Sequence, residues 1–496
     1  MGQNYRLSMV MRLLAIGISS FGMLLLLPLV LSKLGEYQFG IWGMVSSITS
    51  YLLLLDFGIA LACTRYLSIQ AQSKATWTNI ISNSLFLAII IACILLVIAL
   101  TLTVTNALGL FTDNQLLISR IVCIVMLEVA ISIPLRMYLS ILRTEVRYVD
   151  IGAFEVIRVV CRIGGIALAL FMGADLTSIV ILAAIVNILF FVLPLLSTYA
   201  RHKTLFFQQS AINRKTLTEL LQFSKFTAVS QSTEFLKFRT DSVLVSILIG
   251  ITASAHYTII VFIIMMVTQI LMRFMSYWDT IIIRNIGNKQ YQTAENTVFK
   301  SLEIGITLSI LACLNLYIYG GFFITLWVGE QYQSLHNALL LLSLILFSIS
   351  FQMATTPYLN GRKQEKTNAG IDFSEVLLKF ALLIPFTALM GFNGFIIASV
   401  TAASVCGIGC RILAFARHSE QKTLTILLNI AKISIKPLLL GLLIATCYWL
   451  LSNFSGSASY MQLISIGIIQ ILILATAYIH IFKIKALPTS QQQRLC

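Results

Sequence analysis

The feature that most limits how this chain can fold is the recurrence of apolar runs such as SLFLAIIIACILLVIALTLTV, residues 84–104. A charge-free stretch of about 20 residues is long enough to cross the hydrocarbon core of a bilayer as a helix. In that medium every backbone N–H and C=O must find its partner within the structure, and a single segment can do this only as an α-helix. About fourteen such spans are predicted, near 8–31, 40–63, 80–104, 116–140, 151–173, 176–199, 220–249, 253–281, 298–320, 334–359, 371–391, 394–417, 432–452 and 461–482. Charged residues make up 11% of the 496, against about 25% in a soluble domain, and the mean hydropathy is +0.92. The predicted fold class is therefore an all-α polytopic membrane protein.

The first span follows the short basic lead MGQNYR and is longer than a signal-peptide core, so it reads as a retained helix. Lys and Arg collect in alternate connectors, from Arg65 and Lys74 through Arg143, Arg147, Arg201, Arg214, Arg284 and Arg362 to Lys483, while the other connectors hold Lys33 alone. Basic loops stay inside, which predicts a multi-pass protein with both termini cytoplasmic. The net charge of +15, from 34 basic and 19 acidic residues, is largely this topological bias and implies no nucleic-acid partner. External connectors are short, including the one around NALGLFTDNQ, so no external catalytic domain is expected. That disfavours a membrane glycosyltransferase or acyltransferase. His202, His256, His336, His418 and His480 are scattered, Cys406 and Cys410 read as packing, and no Gly-Lys-Ser/Thr phosphate loop occurs. Neither metal, cofactor nor catalytic activity is expected.

The polar connector RHKTLFFQQSAINRKTL, residues 201–217, divides the first twelve spans. RTEVRYVDIGAFEVIR and KQEKTNAGIDFSEVLLK echo one another on either side of it, with Glu155-Val156 matching Glu375-Val376. Such repeats are common in transporters. The expected organisation is a six-helix bundle over 1–200, a cytoplasmic linker over 201–217, a pseudo-symmetric six-helix bundle over 218–418, and two further helices with a tail over 419–496. The two bundles would enclose a central cavity.

Charges inside the spans mark functional or pairing positions, because an unpaired ion in hydrocarbon is costly. Asp56 interrupts the run YLLLLDFGIA, and Arg12, at a similar depth in the first span, is its expected partner. Asp56 reads either as a cation- or proton-coupling group or as an anchor for basic neighbours. Arg158 and Arg162 stand at i and i+4 with Glu155 at i−3, so one face of the fifth helix is charged and is expected to line a cavity. Arg136 and Arg411 are expected to reach back to the interface, and Arg273 and Lys379 belong to the same cytoplasmic-side basic belt. Glu128, Glu234 and Lys237 fall near the midplane. Glu234, Lys237 and Asp241 share one face of the seventh span, either as a cavity wall or as a stripe holding helices together.

The segment LGEYQFGIWGMVSSITSYLLLLDFGIALACTRYL resembles the signature of bacterial polysaccharide (O-antigen type) flippases, of the multidrug/oligosaccharidyl-lipid/polysaccharide exporter superfamily. TDSVLVSILIG, LWVGEQY, YLNGRK and GFNGFIIASVTA are similar to further pieces of that family, so the resemblance spans nearly the whole chain. It implies two lobes in the bacterial inner membrane and alternating access. The implied cargo is a polyprenyl-pyrophosphate-linked oligosaccharide, carried from the cytoplasmic to the periplasmic leaflet for O-antigen or another surface polysaccharide. The implied partners are that substrate, membrane lipids, and the polysaccharide polymerase with its chain-length machinery, and a proton or Na+ gradient is the implied energy source. In the similar lipid II flippase, basic residues on helices one and eight hold the pyrophosphate, which adds Arg12 and Arg273 to Arg158, Arg162 and Lys237 as expected substrate contacts. A multidrug or cation exchanger of the same fold is the alternative, disfavoured because the interior here is basic.

Overall fold

The computed structural model describes residues 5–54, 56, 58–69, 74–105, 115–145, 147–202, 207–222, 224 and 240–454. Regular structure among them is entirely helical. Eight described helical segments are long and apolar enough to cross a membrane, and two of these, Gly17–Leu52 and Glu365–His418, each join two predicted spans. The predicted span 461–482 and residues 225–239 of the seventh lie outside the described residues, so the count of fourteen stays an expectation.

Helix α1 (Tyr5–Leu54) turns back at Gly35, whose φ of 78° and ψ of 170° suit only a residue without Cβ. Short helix α2 (Ile59–Ile69) completes the second predicted span after turn positions at Asp56 and Gly58. Then follow α3 (Lys74–Thr105), α4 (Gln115–Thr144), α5 (Tyr148–Phe171) and α6 (Leu176–Arg201). Asp175 caps α6 by accepting from the Ser178 hydroxyl and N–H, bonds that favour its charged form and hold its carboxyl below the usual range. These helices pack on one another, α1 against α5 and α4 between α3 and α6. Their core is aliphatic, a buried cluster that includes Ile80 and Ile81 of α3 and Val129 and Ile133 of α4.

The predicted linker is fastened to this first group. Asn83 of α3 donates to the Ala211 carbonyl at 3.0 Å and accepts from the Asn213 N–H at 2.9 Å. Ser82 accepts from the Gln208 N–H at 3.0 Å.

A second group comprises α7 (Asp241–Leu248), α8 (Ile251–Gly287), α9 (Tyr291–Val328), α10 (Leu335–Ser343), α11 (Ile345–Gly361), α12 (Glu365–Ala402), a wide π-type turn (Ala403–Cys410) and α13 (Arg411–His418). Helix α12 reverses at Gly391, with φ of 56°, as α1 does at Gly35. The later helix α14 (Thr423–Phe454) lies on α9, where Gly441 lets Ile310 approach.

The two groups meet along α1 and α8. A Cβ at Gly40 would run into the Ile251 carbonyl, and one at Gly43 into the Thr258 hydroxyl. Leu27, Val30 and Phe39 of α1 share a buried cluster with Ile259, Ile260 and Ile263 of α8. At the exposed rim Glu36 stands 3.8 Å from His256. All of this lies toward the Gly35 end of α1, where the two groups are in direct contact.

Candidate functional site

A cavity of about 270 Å³ opens between α1, α5 and α8. Helix α1 contributes Ala15, Ser19 and Met23, one per turn, as the 3.6-residue period requires. Phe262, Met265, Met266 and Gln269 give α8 a largely apolar wall with one polar end. Its roof is aromatic: Phe262 stacks on Trp327 at 5.4 Å, and the Trp327 indole N–H donates to the Leu24 carbonyl at 2.6 Å.

The charge comes from α5, which presents Glu155 and Arg158 to the cavity. An Arg158 terminal nitrogen lies 3.6 Å from a Glu155 oxygen, beyond hydrogen-bond range, and the pair are 26% and 40% exposed. The guanidinium sits 4.8 Å above the ring of Phe190 on α6, a cation–π contact that fixes its plane. Its buried Nε has no hydrogen-bond partner. Arg162, one turn on, feels Arg158 as a like charge and Glu128 as an opposite one. Glu128 is 8% exposed and accepts from Asn187 of α6 at 2.8 Å. Arg273 is exposed on α8, one turn beyond Gln269 on the same face. The side chains of Arg12, Glu234 and Lys237 lie outside the described residues.

Four charged positions, Asp56, Arg136, Arg411 and Lys379, differ from the sequence expectation. The span 40–63 is not continuous, and Asp56 stands at its break. Its carboxylate accepts from the Gly58 N–H at 2.7 Å and its carbonyl from the Ile59 N–H at 2.8 Å. A broken membrane helix frees N–H groups that no water can satisfy, and Asp56 satisfies them. Its cationic partner is Arg136 of α4 at 3.5 Å, so Arg136 does not reach to the interface. The pair is 13% and 20% exposed. The double change Asp56→Ala/Arg136→Ala is expected to cost about 1–2 kcal/mol less than the sum of the single changes, measured by thermal unfolding in detergent. Strict additivity would remove the coupling.

Arg411 is likewise not interfacial. It is fully buried and donates to Asp372, to Asn368 at 2.7 Å and to Thr356 at 3.0 Å. Asp241 is 6% exposed, is held by Lys379 of α12 and accepts from the Tyr257 hydroxyl. Lys379, placed by sequence in the basic belt, is thus an internal counterion. The signal was present in α12: Asn368, Asp372, Glu375 and Lys379 recur at helical spacing, which is how an apolar helix supplies one polar stripe to a lobe interior.

A family model described as "Polysaccharide biosynthesis protein" matches residues 7–277. Among solved structures, the lipid II flippase MurJ in an inward closed conformation superposes with a TM-score of 0.72 at 16% identity, covering 95% of this chain and 99% of that one. An inward-facing multidrug resistance MATE family transporter of the MOP superfamily gives 0.66 at 16% identity, covering 82% and 98%. A MOP superfamily transporter from Pyrococcus furiosus, described as having a binding pocket of reverse polarity that suggests a different function, gives 0.57 at 15% identity, covering 83% and 94%. At these identities the likeness is one of fold. A search of curated proteins finds no match.

Proposed function

The chain belongs to the polysaccharide biosynthesis protein family, and from that premise we propose that it is a flippase for a polyprenyl-pyrophosphate-linked oligosaccharide. It moves the head group from the cytoplasmic to the periplasmic leaflet of a bacterial inner membrane by alternating access. The observation that carries this reading is Arg158, a cavity-lining cation between the two helix groups whose nearest carboxylate oxygen stands 3.6 Å away, while the groups are packed together toward the Gly35 end. A guanidinium is suited to this cargo, because its planar fork meets phosphate oxygens two at a time and stays charged when partly buried. Arg162 and Arg273 extend the positive surface above and below, with Arg12 and Lys237 as further helpers. The Met and Phe wall of α8 accepts the apolar faces of a head group that is only partly ionic.

In this reading residues 1–200 and 218–418 are the moving lobes, 201–217 travels with the first, and 419–496 is an appendage to the second. Both termini are cytoplasmic, the energy comes from a proton or Na+ gradient, and the surface-polysaccharide polymerase takes the product. The test is a vesicle assay with the purified full chain and a polyprenyl-pyrophosphate oligosaccharide. The expected result is gradient-dependent arrival of the sugar on the opposite leaflet, detected with a membrane-impermeant lectin. Uptake of organic cations without movement of the sugar would instead make the protein an exchanger, and a new covalent sugar product would make it an enzyme.

A further inference from the structure

We propose that Glu155 is a resident counter-anion of the site, displaced from Arg158 by the incoming phosphate and returned to it on release; this rests on the flippase reading above. The two side chains share the cavity wall and stand 3.6 Å apart. That separation is long for a charge-assisted hydrogen bond, which closes to about 2.7–2.9 Å. Glu155 thus neutralises Arg158 without saturating it. The guanidinium face is held over Phe190, so its plane is already fixed beside the cavity and a terminal nitrogen can turn from Glu155 to a second anion. Glu128 does not play this part, because it accepts from Asn187 at 2.8 Å and is not among the residues lining the cavity.

The consequence follows from what a carrier needs. A site that only attracts would retain its cargo, and passage requires binding strong enough to enter and weak enough to leave. Glu155 lowers the affinity by repelling the phosphate and by competing for Arg158, and it restores local neutrality once the phosphate departs. Substrate binding then exchanges one anion for another rather than creating a new ion pair.

The experiment measures binding of geranylgeranyl pyrophosphate to the purified full chain in nanodiscs, together with the vesicle flipping rate. Glu155→Gln and Glu155→Ala are both expected to bind the probe about fivefold tighter than the native chain, since removing one charge at this range is a modest effect in a partly solvated site. Both are expected to flip the oligosaccharide more slowly, while Glu155→Asp stays close to native in each measurement. Damage to the fold weakens binding, so tighter binding with slower turnover cannot come from damage. Equal or weaker binding in both variants, with Arg158→Gln still losing the probe, would overturn the role of Glu155 and leave the flippase site standing. Probe binding that is indifferent to Arg158→Gln would overturn the site itself.

Discussion

Arg158→Gln and Arg162→Gln are each expected to reduce oligosaccharide flipping by about 10- to 100-fold, with the protein present in the membrane at its normal level. The magnitude is that of one charge-assisted hydrogen-bonded contact, about 1.5–3 kcal/mol. Arg158→Lys should recover little of the loss, because an ammonium keeps the charge and lacks the fork. In cells the expected result is depleted surface polysaccharide with its lipid-linked precursor retained on the cytoplasmic leaflet. Arg284→Gln is the reference, an exposed residue in the last turn of α8 and remote from the cavity. Arg136, expected from the sequence to reach the interface, is unsuitable as a reference because it holds Asp56. If Arg284→Gln were as damaging at equal abundance, the loss would reflect general depletion of basic charge, and the α5 site would fall.

Lys379→Met is expected to be the most destabilising single change among the charged positions, at about 3–5 kcal/mol. Asp241 is 6% exposed, and removing its ammonium partner leaves a carboxylate in a low-dielectric interior beside the Tyr257 hydroxyl. Losing both charges together is far milder, since the second change removes the stranded ion. Asp241→Asn combined with Lys379→Met should therefore recover most of the folded yield and melting temperature in detergent. A double variant as unstable as Lys379→Met alone would mean that packing, not charge, makes that position sensitive.

Much of the fold was legible because hydrocarbon length and helical period act locally. The eight described apolar helical segments and the turn of α5 that brings Glu155 and Arg158 to the cavity follow from spacing within one segment. Pairings between segments were not legible in the same way. Asp241 meets Lys379 across 138 residues and Arg411 meets Asp372 across 39, and which face of a helix turns inward depends on how its neighbours pack. An Arg near a helix end can reach the interface or turn inward, and Arg136 and Arg411 turned inward because Asp56 and Asp372 were there to meet them. The break at Asp56 did leave a local trace. Asp followed two residues later by Gly is a turn-forming pair, and Gly58 adopts φ of 74° there. The apolar residues before and after it obscured that trace.

The lobes and the seam between them are fastened by different chemistry, and this decides which of them can act as a door. Inside the second lobe the fasteners are buried ion pairs, Asp241 with Lys379 and Arg411 with Asp372. Separating such a pair would expose two bare charges to hydrocarbon at every turnover. Between the lobes, Gly40 and Gly43 of α1 rest on the backbone and hydroxyl of α8, and the pair at the rim is already in partial contact with water. Parting that surface forfeits dispersion contacts, a weak rim interaction and the neutral Trp327–Leu24 hydrogen bond, and strands no ion. A bulky residue at Gly40 would then behave as a doorstop, holding the outer side ajar while leaving each lobe intact.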